Sequence, residues 1–178
     1  ATSAERAAAG SAVMAHLEAG GVVAYPTETV YGLGCMLDSS GLGALSAFKG
    51  DRPFLLLIDG ADTATGLEWT PDARRLAHAF WPGPLTLALT AEDDRYPRQV
   101  MGPDGAVAVR VSPHPAIPDL LRAAGGRITS TSANRPGRSP ARDGAEAAAV
   151  AAAVAETGAS VLVLDGGRLP EEEPSTIV

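Results

Sequence analysis

Two threonine hydroxyls, a carboxylate and two phenols crowd the segment Tyr25-Pro-Thr-Glu-Thr-Val-Tyr-Gly-Leu-Gly34, at the end of an apolar run. Core packing asks for none of them. Pro26 fixes a turn, Thr27 and Thr29 present hydroxyls, and Gly32 and Gly34 let backbone come close to a ligand. A plain strand-edge turn, in which Thr27 and Glu28 cap neighbouring amides, accounts for the same residues. The segment is neither a Walker loop nor a dinucleotide fingerprint, because GxxxxGK[ST] and GxGxxG are both absent.

A second segment, Lys49-Gly-Asp-Arg-Pro53, holds the single lysine among fourteen basic residues. Lys49 as a point charge and Arg52 as a two-pronged fork suit a phosphate, although cations are also favoured at any helix C-terminus. The third segment, Ser130-Thr-Ser-Ala-Asn134, offers several donors without net charge, fit for an oxygen-rich ligand or for an ordinary polar turn. Arg110 stands out in AVAVRV, since a guanidinium within an apolar strand needs a ligand anion or an internal Asp or Glu. With no acid nearby in sequence, the expectation is that Arg110 faces a cavity rather than an internal carboxylate. Ser175 and Thr176 add two hydroxyls late in the chain. His16, on a helix surface, His78 and His114 have no partner at metal or triad spacing, and Cys35 reads as a small buried residue.

The chain has 178 residues, 46% of them hydrophobic and 20% charged, which matches one domain able to bury a core. One cysteine excludes an intramolecular disulfide and multi-cysteine metal sites. No apolar run reaches the roughly 18 residues of a membrane span, and residues 1–20 lack a secretory pattern, so the expected location is cytoplasmic. A net charge of -7 and a pI near 4.9 argue against broad binding to nucleic acid; any anion site must be local.

The elements that would position these groups alternate. A helix begins at the Thr2/Glu5 capping box and stops at Gly20, a strand covers Val22 to Tyr25, and a long loop leads to a helix over Gly41–Lys49. Then follow strand Phe54–Ile58, helix Pro71–Phe80, strands Leu85–Thr90 and Ala106–Val111, helix Pro115–Ala124 and strand Arg127–Ser130. Helix Asp143–Glu156 and strand Ser160–Leu164 come last. This pattern is mixed α/β, in one domain over 1–178.

Taken together, PTETVYGLG after GGVVAY, the helix-end lysine, WPGPLTLAL, VAVRVSPHP, STSANRPG and PSTIV resemble the YrdC-like family in order and spacing. The resemblance implies an open, twisted, mixed sheet with surrounding helices and a deep concave cavity. It also implies a nucleotidyltransferase that joins L-threonine, bicarbonate and ATP, with Mg²⁺, into threonylcarbamoyl-adenylate and pyrophosphate. The product serves N6-threonylcarbamoyl modification of tRNA adenosine 37 through a downstream transferase complex, with weak direct tRNA binding as a further expectation. On this resemblance Thr27, Tyr31, Arg110 and Ser175 hold threonine. Ser130, Ser132 and Asn134 hold the nucleotide, and Lys49 contacts phosphate. After Lys49 the chain reads KGDRPFLLLI, about three or four residues shorter than the family pattern. Arg52 therefore matches either the arginine of the family's KxR motif or the later basic residue beside threonine, and Pro53 with the following strand favours the latter. Lys49 and Arg52 form the expected catalytic pair. The family also adds a strand and an Arg-x-Gly segment beyond PSTIV, so the C-terminal end is expected to be incomplete. A non-catalytic binder of double-stranded RNA or tRNA, and a carbamoyl-phosphate-dependent domain, are the competing expectations.

Overall fold

The computed structural model describes residues 3–92, 94–171 and 175–178, with side chains from residue 9 onward. In helix α1 (Ser3–Glu18) the apolar face carries Val13 and Leu17, and the helix stops where Gly20 adopts a φ of +83°. Thr2 of the expected capping box lies outside the described residues. The remaining elements are β1 (Val22–Pro26), β2 (Tyr31–Gly34), α2 (Ser40–Lys49), β3 (Leu55–Ile58), α3 (Pro71–Phe80), β4 (Leu85–Thr90), β5 (Ala106–Arg110), α4 (Ile117–Ala123), β6 (Arg127–Ser132), α5 (Gly144–Ala155), β7 (Val161–Val163) and β8 (Thr176–Ile177). Two helix starts obey their sequence directly. Thr70 accepts the Ala73 amide at 3.1 Å ahead of Pro71, while Asp143 accepts the Glu146 amide at 2.9 Å and Glu146 returns to the Arg142 amide at 2.7 Å.

Among the described residues all strands join one mixed sheet in the order β7-β1-β2-β6-β3-β5-β4-β8. Its two faces bury separate clusters. On one, Val22, Ala24, Leu33, Leu56, Ile58, Val107 and Val109 meet Leu42 and Leu45 of α2, Ala73 and Ala77 of α3, and Ala147 and Val154 of α5. On the other, Val23, Tyr25, Leu57 and Ile128 meet α1 through Val13 and Leu17, and α4 through Ile117, Leu120 and Leu121. These two helices leave part of this second face uncovered. The register Gly32↔Ser132, Leu55↔Ser130 and Leu57↔Arg110 shows which positions continue it beyond them.

Strand β2 corrects the sequence expectation of a long loop. Its YGLG composition argues against a strand, because glycine contributes no side chain and adds backbone entropy. Packing supplies the reason: a Cβ on Gly34 would lie 2.0 Å from the Thr129 carbonyl oxygen, and one on Gly32 would lie 3.0 Å from the Tyr25 ring. Strand β6 likewise runs on to Ser132, two residues past the expected end, because Ser132 pairs with Gly32. His16, expected on the helix surface, is half-buried and donates from Nε2 to the Val22 carbonyl at 2.8 Å.

Gly34→Ala should therefore lower the unfolding free energy by about 3 kcal/mol, since backbone must move to admit the methyl. Gly43→Ala, in α2 with nothing within 4 Å of the added Cβ, should raise it by about 0.5–1 kcal/mol. Urea denaturation of both variants checks this, and equal midpoints would contradict it.

Candidate active site

The uncovered part of the second sheet face floors a cavity of about 280 Å³. Thr27 and Tyr31 come from the β1–β2 hairpin, Arg110 from the end of β5, Ser130 and Ser132 from β6, and Ser175 from the entry to β8; all six line it. Leu55 and Leu57 supply its apolar floor. Residues distant in sequence are thus brought to one small concave site.

Arg110 is the buried charge of this site, and its partners are explicit. Its Nε donates to the Gly83 carbonyl at 3.2 Å, and its NH2 pairs with the Glu28 carboxylate. Glu28 in turn accepts from the Ser112 hydroxyl at 2.5 Å, and Ser112 takes the His114 amide at 3.3 Å. This corrects the expectation that Arg110 would face the cavity instead of an internal carboxylate. It does both, because the turn after β1 folds Glu28 back over the end of β5. Two of the five guanidinium donors are committed to these protein partners, while the residue still lines the cavity. Burial pulls Arg110 below the usual guanidinium range.

Thr27 is occupied by its own turn: its hydroxyl donates to Val30 O at 2.6 Å and receives the Thr29 and Val30 amides, each at 3.3 Å. Tyr31 donates to Gly167 O at 2.8 Å and accepts the Gly166 amide at 2.9 Å, so the 165–167 loop fixes its ring. Burial raises the pKa of its phenol. Ser175 shares a hydrogen bond of 3.0 Å with the buried Thr86 hydroxyl. The walls are held before any ligand arrives.

Lys49 is not a solvated helix end. Its Nζ donates to Ser132 O at 2.9 Å, Asn134 O at 3.1 Å and Asn134 Oδ1 at 2.6 Å, and Ser132 Oγ reaches the same Oδ1 at 2.7 Å. Burial, aided by the neighbouring Arg52, lowers its pKa from 10.5 to about 8. Arg52 itself is exposed and is not among the residues that line this cavity. The Phe54 amide bonds Gln99 O at 2.8 Å, drawing the 51–53 link toward a separate groove of about 880 Å³ that Arg52 lines with Tyr96 and Arg98. Among the described residues no group of three or more His, Cys, Asp or Glu is placed to hold a metal ion. None of the helices there is long and apolar enough to cross a membrane. Sequence reasoning missed Ser112 and Gly83, which sit inside the quoted VAVRVSPHP and WPGPLTLAL segments; what those two segments do is hold Arg110.

A family profile described as telomere recombination, that of Sua5, YciO and YrdC, matches residues 15–178. The chain belongs to the Sua5/YciO/YrdC family. A threonylcarbamoyl-AMP synthase of Alkalilimnicola ehrlichii is 46% identical over 132 residues, covering 72% of this chain and 69% of that protein. Another of that name, from Thiobacillus denitrificans, is 34% identical and covers 99% of this chain and 94% of its own. Among solved structures, P. abyssi Sua5 complexed with L-threonine superposes with a TM-score of 0.81 at 30% identity; the match covers 94% of this chain and 50% of that one. The mixed sheet with surrounding helices is thereby the family's fold.

Lys49 yields a stability test. Below pH 8 both folded and unfolded chains carry its proton, and the folded one bears the burial penalty. Between pH 8 and 10.5 the unfolded chain binds more protons, so this group's contribution to stability rises with pH. The difference in unfolding free energy between the parent and Lys49→Met should shift in the parent's favour across that window. A flat difference would mean that Lys49 titrates at its ordinary value.

Proposed function

We propose that this protein is an L-threonylcarbamoyladenylate synthase, forming threonylcarbamoyl-AMP and pyrophosphate from L-threonine, bicarbonate and ATP. One observation carries the reading: a cavity of amino-acid size, walled by hydroxyls around a buried arginine, lies beside a lysine tied into the Ser132–Asn134 loop. At about 280 Å³ it is at the small end of ligand sites, too small for an amino acid together with a nucleotide. ATP would therefore extend past its rim along Lys49. The name of the relatives and the threonine complex of P. abyssi Sua5 support the same assignment.

The chemistry needs no side-chain nucleophile. Threonine's free amine adds to bicarbonate, which loses water to give a carbamate, and a carbamate oxygen attacks the α-phosphorus as pyrophosphate departs. The Arg110 guanidinium would take the threonine carboxylate, with the walls at Thr27, Tyr31 and Ser175 fixing its orientation. Ser130, Ser132 and Asn134 would hold the nucleotide. Lys49 would exchange its carbonyl partners for phosphate oxygens, and phosphate charge would restore its proton at pH 8. Arg52, close enough to depress Lys49, would add positive charge at the phosphate end, leaving the threonine end to Arg110. Mg²⁺ would arrive with the triphosphate and neutralise part of its charge. Holding three reactants in line is worth roughly 7–11 kcal/mol. The product would pass to a transferase acting on tRNA adenosine 37.

Pyrophosphate release from ATP should require L-threonine and bicarbonate together. Equal release with threonine omitted would refute the assignment. Lys49→Ala should reduce the rate about 10²- to 10³-fold, the usual loss for one charge-assisted transition-state contact. Steady-state pyrophosphate assays measure it, and a rate within twofold of the parent would remove Lys49 from the phosphate site.

A further inference from the structure

The Arg110–Glu28–Ser112 chain does more than satisfy a buried guanidinium. Arg110 is 6% exposed, and its positive charge is cancelled at contact distance by Glu28. Glu28 does not itself line the cavity; it is held by the hydroxyl of Ser112, which does. Lys49 is turned onto the carbonyls of Ser132 and Asn134 and is not among the residues that line the cavity. The carboxylate-binding end of the cavity is therefore formally neutral while still presenting guanidinium N–H donors.

A ligand that carries only a carboxylate brings an uncompensated negative charge to that end. A zwitterion brings none. From this balance we infer that Glu28 is a specificity-determining positioning residue, which makes the cavity select α-amino acids over the corresponding carboxylic acids that lack the amine. It acts through Arg110, holding the guanidinium plane and cancelling its charge, and touches no reacting atom. The inference rests on the assignment of threonine as the ligand of this cavity.

The discriminating pair is L-threonine and 3-hydroxybutyrate, which share carboxylate and hydroxyl and differ in the ammonium. One unit charge acting across a half-buried site corresponds to about a thirtyfold difference in affinity. Calorimetric titration of the parent should show 3-hydroxybutyrate binding about thirtyfold more weakly than threonine. In Glu28→Gln the gap should close to about threefold, largely through tighter binding of 3-hydroxybutyrate, while ATP affinity stays unchanged. A gap that survives intact in Glu28→Gln, or is missing from the parent, overturns the inference. Should Glu28→Gln fail to fold, Glu28→Asp keeps the charge and should weaken both ligands alike with the gap retained; a closed gap there overturns it equally. Absence of any threonine binding to the parent would instead refute the assigned substrate, so the two failures are separable.

Discussion

A guanidinium cannot leave water without partners, and the site is organised around that constraint. Arg110 ends β5 in the sheet interior, so three otherwise unrelated segments must reach it. The turn after β1 delivers Glu28, the loop before β4 delivers the Gly83 carbonyl, and the segment after β5 delivers Ser112 to brace Glu28. Their convergence sets where the β1–β2 hairpin folds over the sheet. The hairpin in turn sets the positions of Thr27 and Tyr31 on the cavity wall.

The rest of the wall follows an economy of hydroxyls. Thr27 uses its hydroxyl on its own turn, Tyr31 on the 165–167 loop, and Ser175 on Thr86. Each is polar toward the cavity yet held by the protein, so a ligand meets fixed dipoles rather than side chains that it must order. Lys49 differs, because its acceptors are the loop carbonyls of Ser132 and Asn134, and an anion can compete for its charge.

Much of this was legible in the sequence. Apolar runs marked most helices and strands, and Pro71 marked the start of α3, because a proline fixes its own φ and so acts within its own turn. Strand β2 was hidden because its glycines answer to Thr129 and Tyr25, contacts that exist only after the sheet assembles. The Glu28–Arg110 pair was hidden for the same reason: 82 positions separate its members, and no local spacing announces it. The place of Arg52 stayed open between two motif positions, because the KGDRP link suits both and spacing along the chain does not say which way that link turns in space.

Strand β8 sets the direction of one cavity hydroxyl through its pairing. Thr176, Ile177 and Val178 are all exposed, and their hold on the sheet is a short ladder beside β4 through Pro84, Thr86 and Ala88. Successive residues of a strand point to opposite faces, so a slip by one position turns every side chain over. The register that places Thr176 opposite Leu85 is therefore also what aims Ser175 at the Thr86 hydroxyl and the cavity, and a polar contact inside the fold is decided by backbone pairing at its edge.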